Sequence, residues 1–154
     1  YPRDQVALAL AGPTSNLLLS FASFTLFLAF GAMFNHLYPE NPVLLESLFP
    51  LTVTVGDVPL AGVWFVVFRL VTMGMLINTS LAVFNLVPLP PLDGFWILRG
   101  LAPRKVNVFL SRVHVFGFVI LIVVLQIEIL QIVLLYPFFL LYGLYGAVTS
   151  LFFG

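Results

Sequence analysis

Asn85-Leu86-Val87-Pro88-Leu89-Pro90-Pro91-Leu92-Asp93-Gly94 closes a long apolar run, and its reading decides the fold. Pro88, Pro90 and Pro91 remove backbone donors and hold their neighbours in extended conformations, so a helix must stop here. An asparagine and an aspartate flank the break. In hydrocarbon, freed carbonyls need partners and an ionisable side chain is costly. A broken helix carrying an aspartate at membrane depth therefore marks a functional site. The same residues also fit a helix end followed by a proline loop at the water interface. Taken alone, the stretch leaves both readings open.

The composition of the whole chain supports membrane depth. The 154 residues suit a single domain, taken here as one transmembrane domain over 1–154. Apolar residues make up 62% and charged residues 8%, with a mean hydropathy of +1.16. Soluble domains carry about 25% charged residues. The chain is thus expected to be a multi-pass integral membrane protein lying in a lipid bilayer. Its formal net charge of zero gives nucleic acid no electrostatic footprint. Without cysteine there is no disulfide framework and no thiolate to hold a metal.

Hydropathy divides the chain into about four transmembrane helices, near Val6–Phe34, Ala61–Phe84, Val106–Leu125 and Ile129–Phe153. The fold class is therefore all-α, with a proline-broken helix at Leu92-Asp93-Gly94. In the first span Ala7, Ala11 and Ser15 recur every four residues as a small-residue packing face. Gly12-Pro13 interrupts the backbone ladder and predicts a bend. Asn16 is expected to make an interhelical hydrogen bond, and Leu17 to Phe30 to face lipid. The polar connection from Asn35 to Pro50 leads into Leu51-Thr52-Val53-Thr54-Val55, which alternates. Gly56-Asp57 is a turn, and Val58-Pro59-Leu60 returns as a short hairpin. Arg69 either snorkels or pairs with Asp57 or Glu128. Asn78 and Asn85, seven residues apart, share a helical face that would border the site. His36 is expected at the interface and His114 as a packing residue.

Charge sets the orientation. Arg3, Arg99, Arg104, Lys105 and Arg112 fall on one side of a four-span arrangement, and Glu40, Glu46, Asp57 and Glu128 on the other. The positive-inside rule makes the first side cytoplasmic, together with both chain ends and Asp93.

Asn85-x-x-Pro88 followed by Leu92-Asp93-Gly94 resembles the NxxPxxxLDG signature of the site-2 protease family of intramembrane zinc metalloproteases. Ala11-Gly12-Pro13-Thr14-Ser15-Asn16 resembles that family's AGPxxN motif, and the two occur in the family's order. The resemblance implies that Asp93 is a carboxylate zinc ligand and that Asn85 and Pro88 belong to the substrate-binding side. It also implies that Gly12, Pro13, Asn16 and Gly94 are structural motif positions. The substrate would be a transmembrane segment of another membrane protein, and the location a bacterial plasma membrane. One departure is large. The family's HExxH, source of two histidine ligands and the glutamate base, is absent, and His36 and His114 do not replace it. Because the chain begins at Tyr1 just before AGPxxN, the expectation is the C-terminal portion of such a protease, inactive by itself. A smaller departure is Phe95, where the family often has a second glycine; it narrows the space beside the aspartate. Two other functions remain: a catalytically inactive membrane scaffold, and an ion transporter built on discontinuous helices.

Overall fold

The computed structural model describes the backbone of residues 2–40, 43–48, 51–55, 58–59 and 62–153, and side chains within 4–40, 62–128, 132 and 135–151. Six α-helices account for most of it. They are α1 (Pro2–Leu37), α2 (Gly62–Asn85), α3 (Asp93–Leu101), α4 (Arg104–Val113), α5 (Gly117–Leu125) and α6 (Glu128–Phe153). Among the described residues three helical stretches are long and apolar enough to cross a membrane: Asp4–Leu37, Gly62–Asn85 and Arg104–Leu125. Leu135–Leu151, within α6, is a shorter apolar stretch.

A small antiparallel sheet of β1 (Val43–Leu48), β2 (Leu51–Val55) and β3 (Val58–Pro59) connects α1 to α2. The expected hairpin is the β2–β3 pair, with Val55 opposite Val58. Its Gly56-Asp57 turn lies outside the described residues, as does Leu60. β1 falls in the stretch expected as a polar connection, yet Val43 pairs with Val55 and Leu48 with Leu51. The register shifts between Leu45 and Ser47. Such an irregularity breaks the two-residue alternation on which strand reading depends.

The chain packs as two compact units. One comprises Leu18–Asn78 and Leu140–Gly154. Its core begins with a stripe on α1: Ser20, Phe24, Phe27 and Phe34 are all buried. The spacing follows one helical face. Phe27 meets Phe68 edge-on at 5.5 Å, and Phe24 lies 4.6 Å from Tyr145. The Ser20 hydroxyl donates to the Met75 carbonyl at 3.1 Å and shares a 2.9 Å hydrogen bond with the Tyr145 hydroxyl. Leu17 to Phe30 therefore carries a packing face, and only its other side, with Leu18, Phe21 and Leu26, is exposed. Both faces are apolar, so the sequence offers no contrast between them. Arg69 lies over the Phe65 ring at 5.7 Å.

The other unit comprises Tyr1–Leu17 and Thr79–Phe139. Val87, Leu92 and Leu121 are its buried cluster, with Phe84, Leu89 and Leu125 packed against them. The expected helix Val106–Leu125 is interrupted by a 3-10 turn at His114–Phe116. Just beyond this turn, Gly117 lies so close to Pro90 that an added Cβ would be 2.6 Å from the proline Cβ. The proline-rich segment thus rests directly on α5. The small face expected on α1 is also displaced: Ala7, Ala11 and Ser15 are exposed, while Ala9 and Pro13 are buried. Ser15 turns its hydroxyl back to the Ala11 carbonyl at 2.7 Å.

Candidate metal-ligand site at the broken helix

The end of α2 is handed over to tight turns. Leu86 N–H still reaches the Ala82 carbonyl at 3.2 Å, but Val87 N–H bonds Phe84 O at 3.1 Å, one residue tighter. Pro88 has no N–H to continue the ladder. Leu89 N–H then bonds Val87 O at 2.8 Å, and Leu92 N–H bonds Leu89 O at 2.9 Å. The segment is therefore internally hydrogen-bonded. Leu92, extended at φ −72° and ψ 161°, precedes the first residue of α3, which is Asp93. A helix N-terminus is electrostatically suited to a carboxylate.

Gly94 is required by sterics. An added Cβ would run into the carbonyl oxygens of Leu86 and Val87. The glycine lets α3 start directly against the broken end of α2. Gly12, on α1, faces the same place from another element: its added Cβ would stand 3.0 Å from Asp93 Oδ2. The two sequence motifs, separated by some eighty residues, thus meet at one carboxylate.

Asp93 is half-buried and lines a cavity of about 330 Å3 with Gln5, Leu8, Ala9 and Trp96. Among the described residues none hydrogen-bonds its carboxylate. A carboxylate presented to a cavity with its lone pairs unused has the donor chemistry of a hard-metal or zinc ligand. It fits as one ligand of a set. Among the described residues no group of three His, Cys, Asp or Glu side chains comes together.

The other singled-out residues sort by location. Asn85, the last residue of α2, is half-buried, and Pro88 is exposed. Neither the Asn85 nor the Asn16 amide has a hydrogen-bond partner among the described residues, so the hydrogen bond expected of Asn16 is not formed within them. Pro13 is buried inside an uninterrupted α1. Asn78 turns its amide to the Gly74 carbonyl at 2.7 Å, a local back-bond within α2. His114 packs between aromatic rings, 5.7 Å from Phe95 in a stacked arrangement and 4.9 Å from Trp96. This is the packing role expected of it. The sequence carries no sign that Phe95 and Trp96, just after the aspartate, pack against that histidine. No spacing rule connects residues eighteen and nineteen apart across two helices.

A further apolar groove of about 440 Å3 is lined by Ser80, Leu81, Val83, Phe84, Val87, Leu125, Leu135 and Phe138. It borders the residues immediately before the break.

Comparison with known proteins follows the same motifs. Residues 1–125 match Peptidase family M50. The chain is 29% identical over 118 residues to "Putative zinc metalloprotease YwhC" of Bacillus subtilis (strain 168). That alignment takes in 77% of this chain and 44% of the relative, so the chain spans less than half the length of the protein it matches. No solved structure matches.

Proposed function

This chain belongs to peptidase family M50, the site-2 proteases, and on that premise we propose that it is the carboxylate-ligand portion of an intramembrane zinc endopeptidase. The observation that carries the reading is the close approach of Gly12 to an Asp93 carboxylate that lines a cavity and has no hydrogen-bond partner among the described residues. Asp93 is one zinc ligand. Two histidine ligands and the general base come from polypeptide outside these 154 residues, an HExxH helix of the family kind. Zinc in such a set lowers the pKa of bound water to about 7.

The chain's own residues do the rest. Gly12 leaves room for the carboxylate, and Gly94 fixes the angle at which α3 leaves the break. Buried Phe95 and the Trp96–His114 contact hold Trp96 in the cavity wall, where Leu8 and Ala9 add apolar surface. Asn85 and exposed Pro88 lie on the substrate side. The Asn85 amide has donors and an acceptor for an extended peptide, which a substrate helix must become before cleavage. The substrates are transmembrane segments of other membrane proteins. With α6 taken as a fourth span, the distribution of basic residues favours Asp93 and both chain ends on the cytoplasmic side of a bacterial plasma membrane.

The test is proteolysis by the intact protein in liposomes, using a single-span membrane protein as substrate. Cleavage that is lost in Asp93→Ala and weakened in Asn85→Ala supports the assignment. An intact protein that leaves membrane substrates uncut would favour the scaffold reading. Ion flux dependent on Asp93 would favour the transporter.

A further inference from the structure

We propose that the cleft between α3 and α4 is a binding site for the phosphodiester headgroup of an anionic phospholipid. The cleft holds about 460 Å3 and is lined by Arg99, Gly100, Ala102, Arg104, Asn107, Val108 and Ser111. No carboxylate is among these lining residues. The local charge is one-sided. Between Asp93 and Glu128 the sequence carries Arg99, Arg104, Lys105 and Arg112 and no acid. Four of the chain's six basic residues thus lie in this stretch, although the whole chain is neutral.

Arg99 is already fixed in place. Its Nε–H donates to Asn107 Oδ1 at 3.0 Å, and Asn107 Nδ2 donates back to the Arg99 carbonyl at 3.0 Å. The guanidinium lies over the Trp96 ring at 5.1 Å. That arrangement uses the Nε donor and leaves the terminal N–H groups, whose fork matches two phosphate oxygens. A side chain held beforehand loses little freedom on binding. Arg104, at the start of α4, lines the same cleft, and the Ser111 hydroxyl, one of whose hydrogen bonds goes to Val108 O at 2.7 Å, stands on its edge.

The surroundings specify a lipid rather than a free anion. The stretch Arg104–Leu125 is apolar enough to enter the bilayer, and its charges are confined to its first half, at the depth of headgroups. Trp96 is the kind of ring that settles at this level. Beside the cleft, Leu101 is 74% exposed and Phe109 64% exposed. These side chains meet acyl chains while the arginines meet the phosphate. Basic residues at this depth are drawn to a net-anionic surface.

The experiment is native mass spectrometry of the full chain in neutral detergent, titrated with phosphatidylglycerol, phosphatidylcholine or inorganic phosphate. Phosphatidylglycerol should bind about 10-fold more tightly than phosphatidylcholine, because the choline cation cancels the phosphate charge and is repelled by the arginines, whereas the glycerol headgroup leaves the net negative charge for the basic residues to meet. Arg104→Gln and Ser111→Asp, both exposed positions that leave the fold intact, should each remove most of that preference. Lys105→Gln, outside the lining, should change it little. Equal binding of the two lipids, or full preference retained in Arg104→Gln and Ser111→Asp, would overturn the proposal. Inorganic phosphate that displaces phosphatidylglycerol at equal concentration would also overturn it, by showing a free-anion site. The site does not depend on the protease assignment, and lipid binding is read without any cleavage assay.

Discussion

Gly12 lies against Asp93: a methyl group built on the glycine would approach the carboxylate Oδ2 to 3.0 Å. The contact explains why a small residue stands in Ala11-Gly12-Pro13 on a helix where glycine lowers intrinsic helicity. It also supplies a prediction. In the intact protein, Gly12→Ala should displace the carboxylate by a few tenths of an ångström and weaken zinc retention, and Gly12→Leu should weaken it further. Losses of about 10- to 100-fold are typical when groups supporting a metal ligand are disturbed. Thermal unfolding in detergent should move little for Gly12→Ala, because Gly12 itself is exposed. Zinc retention against a chelator checks the first statement, and a melting curve the second.

Gly94→Ala should behave differently. Its methyl group meets two backbone carbonyls, those of Leu86 and Val87, which cannot rotate away as a side chain can. Overpacking of this kind costs about 1–3 kcal/mol or more. The variant should therefore lose stability, and a melting temperature equal to that of the wild type would show that α3 does not start against the α2 break.

Gly117→Ala tests the support beneath the prolines. The added Cβ would lie 2.6 Å from the Pro90 Cβ, so either α5 or the proline segment must shift. The expected loss is again about 1–3 kcal/mol. It should be accompanied by faster amide exchange at Leu89 and Leu92, whose N–H groups close the turns of that segment. Unchanged exchange at both would separate α5 from the proline turns.

The unit built on Phe24, Met75 and Tyr145 makes its own prediction. Ser20→Ala and Tyr145→Phe each remove one partner of the buried 2.9 Å hydroxyl pair. Interhelical hydrogen bonds of membrane proteins average about 0.6 kcal/mol and reach about 1.7. Each single variant should fall in that range. The double variant should cost less than the sum, since the two hydroxyls share one interaction. Strict additivity in a double-mutant cycle would show that they do not.

The sequence carried the broken helix and its aspartate because prolines leave few conformational choices and because Asn85, Pro88, Asp93 and Gly94 keep a recognisable spacing. The proximity of Gly12 to Asp93 was implied by paired motifs, but no periodicity could have supplied the contact. The stripe Ser20, Phe24, Phe27 and Phe34 was hidden for a physical reason. In a membrane helix the packed face and the lipid face are both apolar, so burial has no polarity signature. The Arg99–Asn107 exchange of hydrogen bonds was likewise hidden, since it spans the α3–α4 turn at a spacing of eight residues. β1 was missed because its register shift disrupts alternation.

Zinc content of the intact protein, purified with Asp93→Ala beside the wild type, measures the central assignment most directly. The Asp93 carboxylate stands in its cavity with no hydrogen-bond partner among the described residues, so its removal should leave the fold intact and cost only the stability that bound zinc adds. The account predicts about one zinc per chain in the wild type, held by a three-ligand set, and a loss of most of it in the variant. A variant that keeps wild-type zinc and still cleaves a membrane substrate would contradict the account.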